Sequence, residues 1–268
     1  MEFYGLVGET LCHSLSPYIH QRIMELLGID GAYKSMPIPV TALPHLGEAL
    51  KLLGIRGVNV TIPYKEKILS QLDEIDPAAQ RIGAVNTLTL NKGRLTGYNT
   101  DYFGLIMLFQ HHHLEIKGHT AVILGTGGVA KAAQAALLDS GIKQLYLVTR
   151  KKTSSIQLYD SRCVVIDYQQ LGAIKGDYLM NATPLGMEPK VGVSPVSAEI
   201  INHFTTLVDL IYNPAETEFL RLAKANGKMA VGGMYMLIAQ AVKAQELWQD
   251  RAISPGVIEQ IYQELIEE

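Results

Sequence analysis

The chain has 268 residues, 48% of them hydrophobic and 18% charged, with a net charge of −3. That is enough apolar material for one large domain or two ordinary ones, and the slightly acidic balance gives a nucleic-acid partner no footing. Cys12 and Cys163 are far apart in sequence, have no metal-ligand spacing and give no sign of a disulfide framework, and the uncharged stretch 229–242 is too short to span a bilayer. The acidic start, MEFYGLVGE, reads as a strand and not as a signal peptide, so a cytoplasmic protein without a membrane segment is expected.

In chain order, residues 3–7 form a first strand. Ser16-Pro17 then reads as a helix start, serine as N-cap and proline in the first turn, with Gly28 as the stop. Ser14 has no such capping role to explain it. A second strand (32–38) and a second helix (41–53, ended by Gly54) follow. Val58, Val60 and Ile62 alternate with Asn59 and Thr61, a strand pattern, and Pro63 is read as opening a helix over 64–72. Lys65 would sit in its first turn, where the helix dipole disfavours a cation. On residues alone Lys65 reads as a surface lysine, unless an acidic partner or a ligand holds it. A short helix over 76–81 precedes two β-prone runs, 85–90 and 94–98, that flank Lys92-Gly93 as a hairpin. Asp101 stands at the start of an apolar helix, where a carboxylate suits the dipole in any case. His111, His112 and His113 close that helix as a solvated end, since three adjacent histidines share no single helical face.

The second half turns on residues 120–137, TAVILGTGGVAKAAQAAL. The apolar run 121–124 suits a buried parallel strand. Gly125-x-Gly127-x-x-Ala130 then fits the dinucleotide fingerprint, its first glycine for the tight turn, its second for close approach of a pyrophosphate, its last small residue for helix–strand packing. Further strands (144–148, 163–166, 178–180, 207–211, 229–231) alternate with helical stretches, which predicts a doubly wound parallel sheet. Helices over 216–225 and 234–249 and a last one from Ser254-Pro255 complete the chain.

Taken together, the segments 14–17 (SLSP), 59–65 (NVTIPYK), 83–87 (GAVNT), 97–101 (GYNTD), 125–128 (GTGG), 181–187 (NATPLGM), 212–214 (YNP) and 236–241 (MLIAQA) stand in the order found in shikimate dehydrogenases. Over nearly its whole length the chain resembles that family. The resemblance implies an α/β protein with an N-terminal α/β substrate domain over 1–103, to which helices from 236–268 return, and a C-terminal Rossmann-like NADP domain over 104–235. It implies NADP-dependent interconversion of 3-dehydroshikimate and shikimate in chorismate and aromatic amino-acid biosynthesis; the expected assembly is left open between a monomer and a homodimer. Ser14 and Ser16, helped by Tyr212, would hold the substrate carboxylate. Thr61, Asn86, Asp101 and Gln240 would bind the ring hydroxyls, with Lys65 and Asp101 as the catalytic pair. Gly125, Thr126, Gly127, Gly128 and Val129 would hold the pyrophosphate, Thr149, Arg150 and Lys151 the adenosine phosphate, and Leu210 and Gly233 the nicotinamide end. Arginine after the second strand of the cofactor domain, in place of an acidic residue, selects NADP over NAD. Tyr235 stands where the family often has glycine, which would narrow the nicotinamide mouth. A quinate/shikimate dehydrogenase of dual specificity shares nearly every motif. A methylene-tetrahydrofolate dehydrogenase shares the architecture and a lysine but not a reason for Ser14 and Ser16. A non-enzymatic NADP-sensing module would be expected to lose Lys65 or Asp101, and both are present.

Overall fold

A computed structural model describes residues 1–12, 14–150, 158 and 160–267. The chain divides into two compact units, Met1–Gly104 with Leu237–Glu268, and Leu105–Met236. Each is built on its own sheet, with helices and turns joining the strands.

The first unit contains β1 (Glu2–Gly8), α1 (Ser16–Leu27), β2 (Gly31–Pro37), α2 (Leu46–Leu53), β3 (Gly57–Val60), β4 (Glu74–Ile75), α3 (Pro77–Ile82), β5 (Thr87–Asn91) and β6 (Arg94–Tyr98). Its sheet runs β2-β1-β3-β5-β6-β4. The strands β2, β1 and β3 are parallel, and the β5–β6 hairpin joins antiparallel to β3. Alternation along β1 sends Val7 to one apolar cluster, with Leu46, Leu50, Val58 and Val60, and sends Tyr4 and Leu6 to another, with Met24, Tyr33 and Trp248. Gly57 carries no Cβ because the Trp248 indole occupies the space, its Nε1 only 2.1 Å from where a Cβ would stand.

Two helices read from the sequence form differently. Residues 41–53 are a 3-10 turn (Val40–His45) followed by α2, since Pro44 has no N–H to continue an α-helix through the turn. Residues 64–72 are not an α-helix. Tyr64 N–H closes a turn onto the Thr61 carbonyl, the Lys65 carbonyl accepts from Val85 N–H at 2.8 Å, and only a 3-10 turn (Lys67–Gln71) follows. The Lys65 carbonyl is therefore committed to the segment leading into β5, and Lys65 faces no helix dipole.

Helix α4 (Thr100–His111) carries the chain into the second unit. There follow β7 (Thr120–Leu124), α5 (Gly128–Asp139), β8 (Gln144–Val148), β9 (Cys163–Ile166), α6 (Tyr168–Leu171), β10 (Tyr178–Asn181), α7 (Ala198–Ile201), β11 (Thr206–Asp209), α8 (Glu218–Ala225) and β12 (Met229–Val231). The sheet order is β12-β11-β10-β7-β8-β9, every pairing parallel, with successive strands winding outward on both sides of the β7–β10 pair. This is a doubly wound, Rossmann-like sheet whose switch point lies at the carboxyl ends of β7 and β10, where such folds bind ligands. Helices α9 (Met234–Gln249) and α10 (Gly256–Glu267) return to the first unit, where Trp248 joins the Tyr4 cluster. Among the described residues no helix is long and apolar enough to cross a membrane.

Candidate active site

The geometry of the first unit centres on Lys65. Buried Tyr64 locks the backbone beside it, with its hydroxyl on the Ile38 carbonyl at 2.6 Å. The ammonium of Lys65 then reaches Asp101 Oδ2 at 2.7 Å, with 15% of the lysine and 7% of the aspartate side chain exposed. Lys65 is thus no surface lysine. Asp101 occupies the first turn of α4, and its Oδ1 accepts Asn86 Nδ2 at 2.9 Å. Asn86 is fixed in turn: its Oδ1 accepts Thr100 N–H at 2.7 Å, and its Nδ2 also reaches Thr100 Oγ1 at 3.0 Å. The Thr100 hydroxyl lies 3.4 Å from Gln240 Oε1 on α9, and Gln240 Nε2 donates to the Leu237 carbonyl at 2.8 Å. Four residues named from the sequence, Lys65, Asn86, Asp101 and Gln240, therefore share one hydrogen-bonded network.

Ser14 and Thr61 lie on the loops that follow the neighbouring strands β1 and β3, and Ser16 opens α1. Gly8 lets these loops meet, since a Cβ there would stand 2.6 Å from Thr61 Cγ2. The two serines exchange the roles read from the sequence. Helix α1 begins at Ser16 with Leu15 in the cap position and no side-chain cap, while Ser14 Oγ accepts Ser16 N–H at 3.2 Å. Ser14 is the serine with a structural task, and Ser16 is buried.

Residues not singled out as site residues support this arrangement. Asn59 accepts the Tyr33 hydroxyl at 2.9 Å and donates to Thr87 Oγ1 at 3.0 Å, and Thr87 lies 3.0 Å from Thr100 Oγ1. Asn59 in the apolar run of β3 was the available signal, because a buried polar side chain must find partners. Deeper still, His20 is fully buried and stacked on Tyr33 at 4.1 Å, its Nδ1 3.1 Å from Gln245 Nε2. Burial pushes its imidazole down to about 3.

In the second unit Gly125 has φ +106°, a backbone conformation natural to glycine, and a Cβ there would press on the Ala182 carbonyl at 3.0 Å. A Cβ on Gly127 would meet no described atom within 4 Å, so open space lies at the amino end of α5. Gly127 gives α5 no side-chain cap, which leaves the first-turn N–H groups of Gly128, Val129 and Ala130 to a ligand or to water. Thr149 is half-buried and Arg150 exposed just beyond β8; Lys151 lies outside the described residues. Leu210 and Gly233 are in close contact, since a Cβ on Gly233 would stand 2.6 Å from the Leu210 carbonyl oxygen. Tyr212 follows on the same segment, half-buried. Tyr235 is buried with its ring stacked on His111 at 3.8 Å, so the histidine end of α4 is not simply solvated. Among the described residues no group of His, Cys, Asp and Glu is arranged to hold a metal ion.

Residues 6–88 match the family described as the shikimate dehydrogenase substrate binding domain. A shikimate dehydrogenase (NADP(+)) of Clostridium beijerinckii is 47% identical over 262 residues, covering 98% of this chain and 97% of the relative. The crystal structure of shikimate dehydrogenase 1 from Peptoclostridium difficile superposes with a TM-score of 0.93 at 53% identity, over 99% of this chain and 98% of that one. That of the Thermus thermophilus enzyme, in complex with NADP(H) and shikimate, gives 0.86 at 34% identity over 97% and 98%. With such identity running the full length of both chains and the same two-sheet fold, the chain belongs to the shikimate dehydrogenase family.

Proposed function

We propose that the protein catalyses the reversible NADPH-dependent reduction of 3-dehydroshikimate to shikimate, a step of chorismate and aromatic amino-acid biosynthesis. The observation that carries this reading is the Lys65–Asp101 pair, withdrawn from water and tied to Asn86 and Gln240, in a chain so close to the shikimate dehydrogenases. Its retention also sets aside a cofactor-sensing module without chemistry.

The first unit takes the substrate. Ser14 and Ser16 hold its carboxylate; Thr61, Asn86, Asp101 and Gln240 hold its ring hydroxyls. Each Asp101 oxygen uses one lone pair within the network, leaving the other for a substrate hydroxyl. A set of fixed polar groups of this kind rejects ligands that leave any member unpaired. The second unit takes NADP, with Gly125 to Val129 around the pyrophosphate, Thr149, Arg150 and Lys151 at the adenosine phosphate, and Leu210 and Gly233 at the nicotinamide end. The open space at Gly127 and the uncapped amino end of α5 fit such an anion. When bound, the cofactor supplies the hydride. The ammonium of Lys65 stabilises the oxygen left with negative charge and exchanges its proton, while Asp101 holds the otherwise flexible lysine stem in one orientation. The protein acts in the cytoplasm, as a monomer or a homodimer.

A spectrophotometric assay with shikimate and quinate, each with NADP and NAD, tests the reading. Turnover of shikimate with NADP is expected, at a higher kcat/KM than with quinate. Comparable values for both acids would make the protein a dual-specificity enzyme, and no cofactor reduction with either would remove the activity.

A further inference from the structure

Asp209 ends β11 with no accessible surface. Its Oδ1 accepts Ile211 N–H at 3.1 Å and Asn181 Nδ2 at 3.0 Å, and its Oδ2 accepts the Thr217 hydroxyl at 2.6 Å. These donors come from the segment after β11, the end of β10 and the cap of α8, and none is charged. The adjacent strand β12 ends in Val231 and two glycines, which add no charge either. A carboxylate buried among dipoles alone is costly, and burial pushes this one up to about 6.

The geometry explains why an acid serves here better than an amide. Three donors converge on the group, and an ionised carboxylate can accept from all of them, whereas an asparagine would turn its NH2 toward one. What the carboxylate holds is the peptide between Leu210 and Ile211. The N–H of that peptide is bound by Asp209, Leu210 N–H donates to the Asn181 carbonyl at 3.1 Å, and Gly233 N–H donates to the Ile211 carbonyl at 3.1 Å. Through Asn181, whose Nδ2 also reaches the Leu185 carbonyl at 3.1 Å and whose Oδ1 accepts from Thr183, the same group orders the loop after β10.

We propose that ionised Asp209 is a positioning residue of the cofactor site, holding the Leu210–Tyr212 segment and the Asn181–Gly186 loop in the shape that receives the nicotinamide end. This rests on the functional reading above, in which Leu210 and Gly233 meet the nicotinamide. Protonation turns one acceptor oxygen into a donor, so the Thr217 hydroxyl must reverse or lose its bond, and the segment loosens.

The test is initial-rate kinetics of the wild type and of Asp209→Asn between about pH 5 and pH 8. Above pH 7 the variant's KM for NADP should be about fivefold higher than the wild type's, the scale of one weakened hydrogen bond. The ratio should fall toward one as the pH drops through about 6 to 5, where the wild type itself becomes mostly neutral at this position. A ratio, unlike either profile, cancels the titration of the cofactor's own phosphate. A ratio near one throughout, or one that does not change with pH, overturns the proposal. Should Asp209→Asn not fold, the wild type decides alone: its KM for NAD, which lacks that phosphate, should rise about fivefold on acidification through the same window, and a flat profile overturns the proposal. No turnover of shikimate by the wild type at any pH would overturn the functional reading itself, and the proposal with it.

Discussion

Lys65 Nζ and Asp101 Oδ2 stand 2.7 Å apart, thirty-six residues from one another in sequence and both largely withdrawn from water. An ion pair in this setting orients as much as it stabilises, because a lysine stem has no preferred direction of its own. Lys65→Ala should therefore lower kcat by about 10²-fold or more, the usual scale for a lost acid–base group, and change the KM for shikimate far less. Asp101→Ala should lower kcat as well, and the double variant should be little worse than the poorer single one. Steady-state kinetics of the three variants check this. Strictly multiplicative losses would mean that the two side chains act independently.

Gln240 reaches the network from the far end of the chain, buried and in contact with Thr100. Its replacement by alanine should raise the KM for shikimate about tenfold, as loss of a well-placed polar contact does, and leave NADP affinity unchanged. Calorimetric titration with each ligand separates the two effects. An equal weakening of both would point to a general loosening of α9.

Arg150 lies exposed at the end of β8, and no acidic residue stands in the stretch Thr149–Lys152. A guanidinium there suits a 2′-phosphate, and an NAD site would carry a carboxylate. Arg150→Ala should raise the KM for NADP about tenfold or more, with that for NAD nearly constant. Equal losses with both cofactors would take the phosphate away from Arg150.

Not all of this is legible in the sequence, and the reasons are physical. The run Ala121–Leu124 and the glycines after it announce a buried strand and a turn because local chemistry decides both. The bounds of β12 and α9 follow from Gly232-Gly233 in the same way. The segment after Pro63 misleads because proline opens turns as readily as helices, and the deciding contact, Val85 N–H on the Lys65 carbonyl, comes from twenty residues further along. Lys65 reads as a solvated lysine until its acceptor is in view; resemblance, and no spacing rule, puts it beside Asp101. Asp209 and His20 stay hidden for a related reason. Each is one polar residue in an apolar setting, with a meaning supplied by partners from other strands and helices.

His20 makes the stability of the first unit depend on pH. Its folded pKa lies near 3, below the ordinary value of 6.5, so the unfolded chain takes up the proton first as pH falls. The contribution is complete above about pH 6.5 and lost progressively below it. Between pH 7 and pH 5 the wild type should lose about 2 kcal/mol through this group, a loss that His20→Leu escapes. Asp209, whose folded pKa is raised, gains stability on acidification over an overlapping range, but it does so in both proteins and cancels from the comparison. Urea unfolding at the two pH values reads the difference, and parallel losses would refute it.

Gly57 should tolerate no side chain. A Cβ there would fall within 2.1–2.6 Å of three Trp248 indole atoms, and the indole is anchored by its Nε1 bond to the Leu88 carbonyl at 2.9 Å. Gly57→Ala should cost roughly 1–3 kcal/mol, the range for overpacking a core. A melting temperature equal to that of the wild type would show that the indole can move aside.

That indole has a consequence for how the protein is made. Trp248 stacks on Tyr4 at 4.9 Å and covers β1 and β3, yet nearly the whole chain must leave the ribosome before it exists. The second unit, residues 105–236, is delivered as one unbroken stretch. Domains ordinarily close in the order of their synthesis; here the part begun first is the part finished last. Throughout translation of the second unit the nascent chain carries an apolar face awaiting its cover, and that interval is when a chaperone would find it.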